Sequence, residues 1–230
     1  MKKLWDAFSF AICVLAVVFS GPAFASECTG WSYYDSSLES CITCENSGFA
    51  ITTTNLPANL EFWFSMSPKG SFAVDWGDGN IDNIDRDNTT ATEYTHTYAT
   101  GGVKNIKFCG KATEYNSATG DNVVAAISFY KSSDSQGSQI RIASVSGSLG
   151  SVFSTIGTGI NANQQPRFRS TFQGASNLTT IPATLFNGVS GSADGMFRST
   201  FDKCTLLSAI PYGLFANATG GAQNIFRLAH

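Results

Sequence analysis

The feature that most constrains the fold is a direct repeat in the C-terminal part of the chain. Residues 170–198 and 199–227 follow each other without a gap, and 12 of their 29 positions are identical. A unit of this length exposes an apolar side that only a neighbouring unit can cover. The spacing therefore predicts a solenoid of stacked layers. The matched apolar pairs are Phe172/Phe201, Leu178/Leu207, Ile181/Ile210, Leu185/Leu214, Phe186/Phe215 and Phe197/Phe226.

A weaker third copy precedes these two repeats. Leu149, Thr155, Phe168 and Arg169 each lie 29 residues before the same residue type in the first repeat. The rest of this stretch is rich in Gly, Ser, Asn and Gln, which suits a terminal unit that closes a repeat array. We therefore expect an N-terminal capping unit that begins near Leu149. In this alignment Val152 and Ile156 stand in for Ile181 and Leu185.

Residues 1–25 predict a secretory signal rather than folded structure. Lysines precede an apolar run over residues 8–19, and Ala23-Phe24-Ala25 forms a cleavage site before Ser26. A retained membrane anchor is the alternative, but the run is short for a bilayer span. We therefore expect a secreted or cell-surface protein with no membrane span after cleavage.

Export makes the cysteines informative. Three of them, Cys28, Cys41 and Cys44, fall within residues 26–49, a leader too short to hold a core without a covalent link. We predict a local disulfide from Cys28 to Cys41 or to Cys44. A redox or zinc site is the alternative for the C-x-x-C spacing, but no fourth ligand lies nearby. Cys204 replaces Ala175 of the first repeat, which predicts a small buried residue rather than a reactive thiol.

Residues 50–125 have the pattern of an antiparallel β-sandwich. The segment LEFWFSM predicts one strand, and a turn at Pro68-Lys69-Gly70 leads into a second strand, FAVDW. A tight Gly-Asp-Gly-Asn turn and a polar stretch follow, then the strands YTHTY and VKNIKFC. We place the end of this domain near residue 125 and assign residues 126–230 to the repeats.

The same residues carry a family resemblance. The motifs V-D-W-G-D-G at 74–79 and T-H-T-Y at 95–98, with Gly102 before V-K-N-I-K-F, resemble the polycystic-kidney-disease (PKD) domain. In that family the Trp usually precedes the Asp, whereas here Trp76 follows it. The resemblance implies an immunoglobulin-like spacer or interaction module without catalysis.

Five aspartates crowd the loop after the second strand, and oxygen-rich loops bind calcium. The EF-hand pattern does not fit, because Asn83 occupies its Gly position and Thr89 replaces its Glu. The other interpretation is that Asp78 closes the turn through main-chain hydrogen bonds while the remaining carboxylates are solvated. We predict no cofactor, with calcium as the alternative. The aspartates are Asp75, Asp78, Asp82, Asp85 and Asp87.

The sequence carries no catalytic motif. The two histidines are His96, which we expect to line the core and bond to the backbone, and His230, the last residue. No nucleophile, zinc or phosphate-binding pattern accompanies either one. A net charge of -3 with 13% charged residues and no basic stripe argues against nucleic-acid binding. We predict a protein that is not an enzyme, with no catalytic, cofactor-binding or metal residues.

Within each repeat the segments LTTIP and LLSAIP predict a short strand, and ADGMFRSTFDKC predicts a short helix. The Pro of PATLF and of PYGLF is placed to begin a helical turn. The run F-D-K-C-T-L-L-S-A-I-P resembles the BspA-like leucine-rich repeats of bacterial surface proteins, although the unit here is longer. The resemblance implies a mainly β fold with short helices and binding to host or microbial surfaces.

An arginine recurs in phase after a phenylalanine, at Arg169, Arg198 and Arg227. Stacked layers would align these side chains as a ladder that meets acidic glycans or carboxylates on a partner. The other interpretation, which we favour, is that each guanidinium bonds backbone carbonyls or an Asp of the adjoining layer.

We expect a non-enzymatic, adhesion-type protein that binds proteins or glycans at a cell surface through its solenoid. The alternative is an accessory targeting module of a larger secreted enzyme whose catalytic region is missing. The last repeat is followed by three residues only. We therefore also expect self-association through an uncapped patch at Leu214, Phe215, Ile225, Phe226 and Leu228.

Overall fold

The computed structural model describes residues 28–45, 48–132, 137–193 and 195–217. The predicted signal, Arg227, His230 and most of the predicted C-terminal patch lie outside these ranges. The described chain is mainly β, with antiparallel sheets and no α-helix. Its strands are β1 Ser32–Asp35, β2 Ser40–Thr43, β3 Phe49–Thr53, β4 Leu60–Met66, β5 Lys69–Asp75, β6 Ile81–Arg86, β7 Thr92–Tyr98, β8 Asn105–Glu114, β9 Ile127–Ser128 and β10 Ile142–Gly147.

Two antiparallel sheets form the centre of the molecule. One has the order β10-β3-β8-β5-β6 and the other the order β7-β4-β9. Strand β4 has the predicted bounds, and its alternate residues Phe62, Phe64 and Met66 are buried, as the period of a strand requires. The Phe64 and Phe108 rings meet edge to face across the sheets, with centroids 5.1 Å apart. The two sheets therefore pack through a shared aromatic core.

Strand β6 was not predicted, because only two of its six residues are apolar. It lies at the edge of the five-stranded sheet, where one side of the strand has no partner strand. A polar edge strand resists pairing with other molecules. The low apolar content of β6, which prevented its prediction from the sequence, is therefore a consequence of its position at the edge.

The sheets extend beyond residue 125, where we placed the boundary of the sandwich. Strand β9 pairs with β4, and β10 pairs with β3. One continuous cluster of buried apolar residues runs from Phe49 to Leu214. Residues assigned to the repeats thus contribute strands to both sheets.

The N-terminal hairpin β1–β2 packs on the outer face of the five-stranded sheet. A local disulfide from Cys28 is confirmed, and of the two predicted partners it joins Cys41 rather than Cys44. A second disulfide, Cys44–Cys109, joins the hairpin to β8 and was not predicted. Its partners are 65 residues apart, and short-range spacing carries no information about such a link.

The interior of the repeats differs from expectation. Residues 195–203 of the helix predicted at 193–204 are a succession of turns, because Ser199 and Lys203 have φ values of 57° and 60°, which an α-helix excludes. The predicted strand at LTTIP is reduced to a single parallel bridge between Ser144 and Thr180. Turns do begin at the predicted prolines, where Leu185 N–H donates to Pro182 O.

Candidate interaction surface

The repeats place equivalent phenylalanines against one another. Phe168 stacks on Phe197 with centroids 6.0 Å apart and planes at 15°. Phe172 stacks on Phe201 at 5.7 Å and 5°. Both pairs are separated by one repeat of the sequence, so the 29-residue period corresponds to one step between neighbouring segments. We name these segments the second row, residues 167–174, and the third row, residues 196–203.

Main-chain hydrogen bonds join the two rows at every second residue. The N–H groups of the second row donate to carbonyls of the third row over distances of 2.6 to 3.0 Å. Such a regular series fixes the register of one row on the other. The pairs are Phe168 to Met196, Ser170 to Arg198, Phe172 to Thr200 and Gly174 to Asp202.

The shared motif Arg-Ser-Thr-Phe has a distinct role for each residue. The serines, Ser170 and Ser199, take left-handed φ values of 56° and 57° and turn the chain. The threonines, Thr171 and Thr200, are fully buried. The Thr171 hydroxyl donates to Ile127 O at 2.8 Å, in the segment that precedes the second row. Thr200 Oγ1 lies 2.8 Å from Phe168 O in the same way. The motif therefore specifies a turn, a bond to the preceding row and a stacked ring.

A first row, residues 126–129, precedes the other two. Phe129 stacks on Phe172 at 5.7 Å and 16°, and its N–H donates to Thr171 O. The first row thus repeats the relation between the second and third rows, at a wider spacing in the sequence.

The wider spacing changes the register of the predicted capping unit. Leu149 N–H donates to Leu185 O, and Thr179 N–H donates to Ala143 O, a pair 36 residues apart. The predicted partner of Leu149 was Leu178, so that alignment is wrong by seven residues. From Phe129 to Leu149 the sequence has seven more residues than from Phe172 to Leu185. A repeat of constant 29-residue period contains no such insertion, so the period predicted the wrong partner for Leu149.

A second insertion follows in the same unit. The sequence from Leu149 to Phe168 is again seven residues longer than that from Leu185 to Phe197. The extra residues form a loop at 157–163, which is closed by a hydrogen bond from Ile156 N–H to Gln164 O. Phe168 and Arg169 lie beyond the loop, and so their predicted match to Phe197 and Arg198 is confirmed.

Two of the three predicted ladder arginines lie on one side of these rows. Arg169 Nη1 donates to Asp121 O at 2.7 Å, and Arg198 Nη1 lies 2.9 Å from Asp121 Oδ1. The Asp121 side chain is 87% exposed, in a single 3₁₀ turn, Gly120–Asn122. The structure brings Arg169 and Arg198 together, and Arg227 lies outside the described residues. The two guanidinium groups bond a backbone carbonyl and an Asp, the kinds of partner that we favoured. Asp121 precedes the repeats, however, and does not belong to an adjoining layer.

An open apolar groove of about 520 Å³ lies beside the third row. Ile210 is 37% exposed there, whereas its counterpart Ile181 is 7% exposed. Leu206 and Tyr212 are also exposed, but Leu214, which we predicted to be exposed, is buried. The exposed apolar surface therefore includes residues other than those predicted. The groove is lined by Phe201, Cys204, Leu207, Ser208, Ala209, Ile210 and Phe215.

Cys204 is buried beneath this groove. Burial raises the pKa of its thiol to about 12. Its Sγ lies 3.1 Å from Phe172 O in the second row. A thiol in this state is a poor nucleophile, and the predicted structural role is confirmed.

The acidic loop distributes its carboxylates among separate partners. Asp75 pairs with Lys107 at 3.0 Å, and Asp82 accepts the indole N–H of Trp76 at 2.9 Å. Asp78 accepts the main-chain N–H of Asn80, as predicted for the turn. Among the described residues no group of three or more His, Cys, Asp or Glu side chains is arranged to hold a metal ion.

His96 is not the backbone-bonded core residue that we predicted. Its Nε2 lies 2.7 Å from Asp78 Oδ2, and its ring stacks on Trp76 at 4.9 Å. The side chains of His96 and Asp78 are each 15% exposed. Burial alone would raise the pKa of Asp78, but the hydrogen bonds from His96 and Asn80 outweigh it and lower that pKa. This pair joins the turn to β7, since His96 lies on that strand.

No protein-family model, curated protein or solved structure matches the chain. The resemblances to the PKD and BspA-like families therefore stay predictions. Within the part of the chain that the structure describes, no helix has the length and apolar character needed to cross a membrane.

Proposed function

We propose that this chain is a secreted or cell-surface interaction protein, without enzymatic activity, that binds acidic groups on a protein or glycan through its repeats. The observation that carries the proposal is that Arg169 and Arg198, one repeat apart, both bond the same exposed residue, Asp121. Guanidinium groups in such a row suit carboxylates and sulfates. The predicted solenoid would extend the row with each further repeat.

The disulfides support the proposed location outside the cytoplasm. Cys28–Cys41 and Cys44–Cys109 are typical of proteins that fold in an oxidising, extracytoplasmic compartment. The sandwich would then hold the repeats away from the surface to which the protein is attached.

The exposed carboxylate of Asp121 gives the proposal a directional test. In the free protein this carboxylate bonds Arg198 and competes with an acidic partner. Asp121→Asn should therefore strengthen binding, whereas Arg198→Ala should weaken it by about tenfold. An exposed ion pair contributes little to stability, so the melting temperature should change little in either variant.

A glycan and matrix-protein array, followed by titration of the strongest binder, measures both effects. Lys131→Ala is the matched control, because Lys131 forms an exposed pair with Glu93 of β7 and not with Asp121. The proposal is wrong if no array member binds. It is also wrong if Arg198→Ala lowers the melting temperature and leaves affinity unchanged, which would make the arginines purely structural.

A further inference from the structure

The first and second rows of the repeat region each donate hydrogen bonds to the next row outward. In the first row the N–H groups of Ala126 and Phe129 reach the second row, and in the second row alternate N–H groups reach the third. The corresponding donors of the third row are the N–H groups of Phe197, Ser199, Phe201 and Lys203. Within the residues that the structure describes, these four groups have no acceptor. Among the described residues, the outer edge of the third row is thus an unpaired edge, which is a template for adding another segment.

The apolar side chains beside this edge lack a cover as well. Leu178 is fully buried, whereas its counterpart Leu207 is half-buried. Ile181 and Ile210 differ in the same direction, with exposures of 7% and 37%. Unpaired main-chain donors and an apolar groove therefore occur together on one side of the third row.

The structure shows what covers the equivalent surface one layer earlier. The third row itself covers the second, offering carbonyls at alternate residues and the rings of Phe197 and Phe201. A bound segment needs the same two features in the same order: free carbonyls facing the edge, and two phenylalanines four residues apart.

We propose that the outer edge of the third row is a binding site for a peptide segment of the Phe-Arg-Ser-Thr-Phe class presented by another polypeptide. The segment adds as a further row, accepts hydrogen bonds from Phe197, Ser199 and Phe201, and places its second ring over Phe201. Its apolar residues fill the groove at Leu207 and Ile210. This site is separate from the arginine side, because it uses main-chain donors and apolar contacts.

The probe is a synthetic peptide with the sequence of residues 195–209, carrying Cys204→Ala and a fluorophore. We expect saturable binding to the full chain, measured by fluorescence anisotropy. A second peptide with both phenylalanines replaced by alanine should bind at least about tenfold more weakly, because the stacked rings are lost.

Two protein variants locate the site. Ile210→Lys puts a charge into the groove and should weaken peptide binding by about tenfold. Leu38→Lys places the same charge at an exposed apolar residue of the N-terminal hairpin and should leave binding unchanged. Both residues are exposed, so we expect both variants to fold, and a circular dichroism melt checks this.

Peptide that does not bind the full chain overturns the proposal, including the case in which residues 218–230 already fill the edge. Equal binding of the two peptides, or equal effects of the two lysine variants, overturns it too. Arg198→Ala should leave peptide binding intact, so loss of the acidic partner and loss of the peptide are distinguishable.

Discussion

At the scale of single residues, the repeat preserves backbone conformation as well as side-chain type. Gly174 and Lys203 occupy the same place in successive units and have φ values of 73° and 60°. Only glycine adopts this region without a steric penalty. Lys203 therefore carries strain that Gly174 avoids.

Gly174→Ala tests this conformational requirement. A Cβ at residue 174 would meet its nearest atom, Gln139 Cγ, at 3.5 Å, so space is available and the cost comes from the backbone. We expect the free energy of unfolding to fall by about 1 kcal/mol in urea denaturation. Lys203→Gly is the reciprocal control and should not lower it. An unchanged free energy of unfolding in Gly174→Ala would show that the left-handed conformation at residue 174 is not required.

Thr200→Val tests the bond between rows. The substitution keeps the shape of this fully buried side chain but removes the hydroxyl that lies 2.8 Å from Phe168 O. Losing this buried hydrogen bond should cost about 1 kcal/mol in denaturant unfolding, because Phe168 O keeps a second donor, the N–H of Thr171. Thr205→Val, at an exposed threonine, should change stability by less than about 0.5 kcal/mol. Equal effects would contradict the role assigned to Thr200.

Asp35 makes stability depend on pH. Burial alone would raise its pKa, but hydrogen bonds from Lys111 and Ser37 lower it to about 2, from the usual 3.8. A carboxyl whose pKa falls on folding stabilises the native state above its unfolded pKa, and the contribution is lost as the pH falls toward 2. Asp35→Asn should therefore melt below the native protein at pH 5, and the difference should shrink at pH 2. A constant difference over this range would contradict the assignment.

At the scale of elements, the hairpin β1–β2 depends on few non-covalent contacts. Its apolar contact with the sheet is a small cluster, and an ion pair joins Lys111 to Asp35 at 2.8 Å. The Cys44–Cys109 disulfide adds a covalent attachment, and hydrogen bonds run from Tyr34 N–H to Ser71 Oγ and from Asn83 Nδ2 to Ser32 O. The segment that the sequence identified as a separate leader is therefore a third layer fastened to the sheet.

Replacing Cys44 and Cys109 together by serine should release this layer. The chain-entropy model for a link between residues 65 apart gives a loss of about 4 kcal/mol. Hydrogen exchange of β1 should become fast, whereas β3 and β8 should stay protected. Replacing Cys28 and Cys41 is the control, because that link lies within the hairpin. Unchanged exchange in β1 would show that non-covalent contacts suffice.

The elements also show which features the sequence could predict. Alternation of apolar residues predicted β4 with its observed bounds, and short spacing predicted a local disulfide from Cys28, to Cys41 or Cys44, of which the first is observed. The approach of Cys44 to Cys109 depends on the packing of a hairpin on a sheet, and local patterns do not contain it. Likewise, the two seven-residue insertions put the first row out of phase with the 29-residue period, so the period did not predict it.

At the scale of the whole molecule, one core joins the sandwich to the repeats. The Phe49 ring lies 6.2 Å from Phe172 of the second row, and Phe129 contacts rings in both sheets and in that row. The two parts that the sequence separated near residue 125 therefore share buried side chains across that position. A shared core couples their unfolding.

We accordingly expect the sandwich and the repeats to unfold together in a single calorimetric transition. Phe49→Ala should cost about 3–5 kcal/mol and should lower the protection of the second row as well as that of the sheet. Leu38→Ala, at an exposed apolar residue, is the control. Two resolved transitions, of which only the first responds to Phe49→Ala, would contradict a shared core.

The loop at 157–163 shows where this architecture accommodates extra sequence. It enters and leaves at Ile156 and Gln164, next to one another, and the rings on either side still stack. The matching corner of the following unit, near Ser190 and Gly191, connects the same two sides by a shorter path. Peptides grafted at that corner, such as affinity tags or foreign epitopes, would be displayed outward without disturbing the packing beneath, which makes the chain a candidate display scaffold.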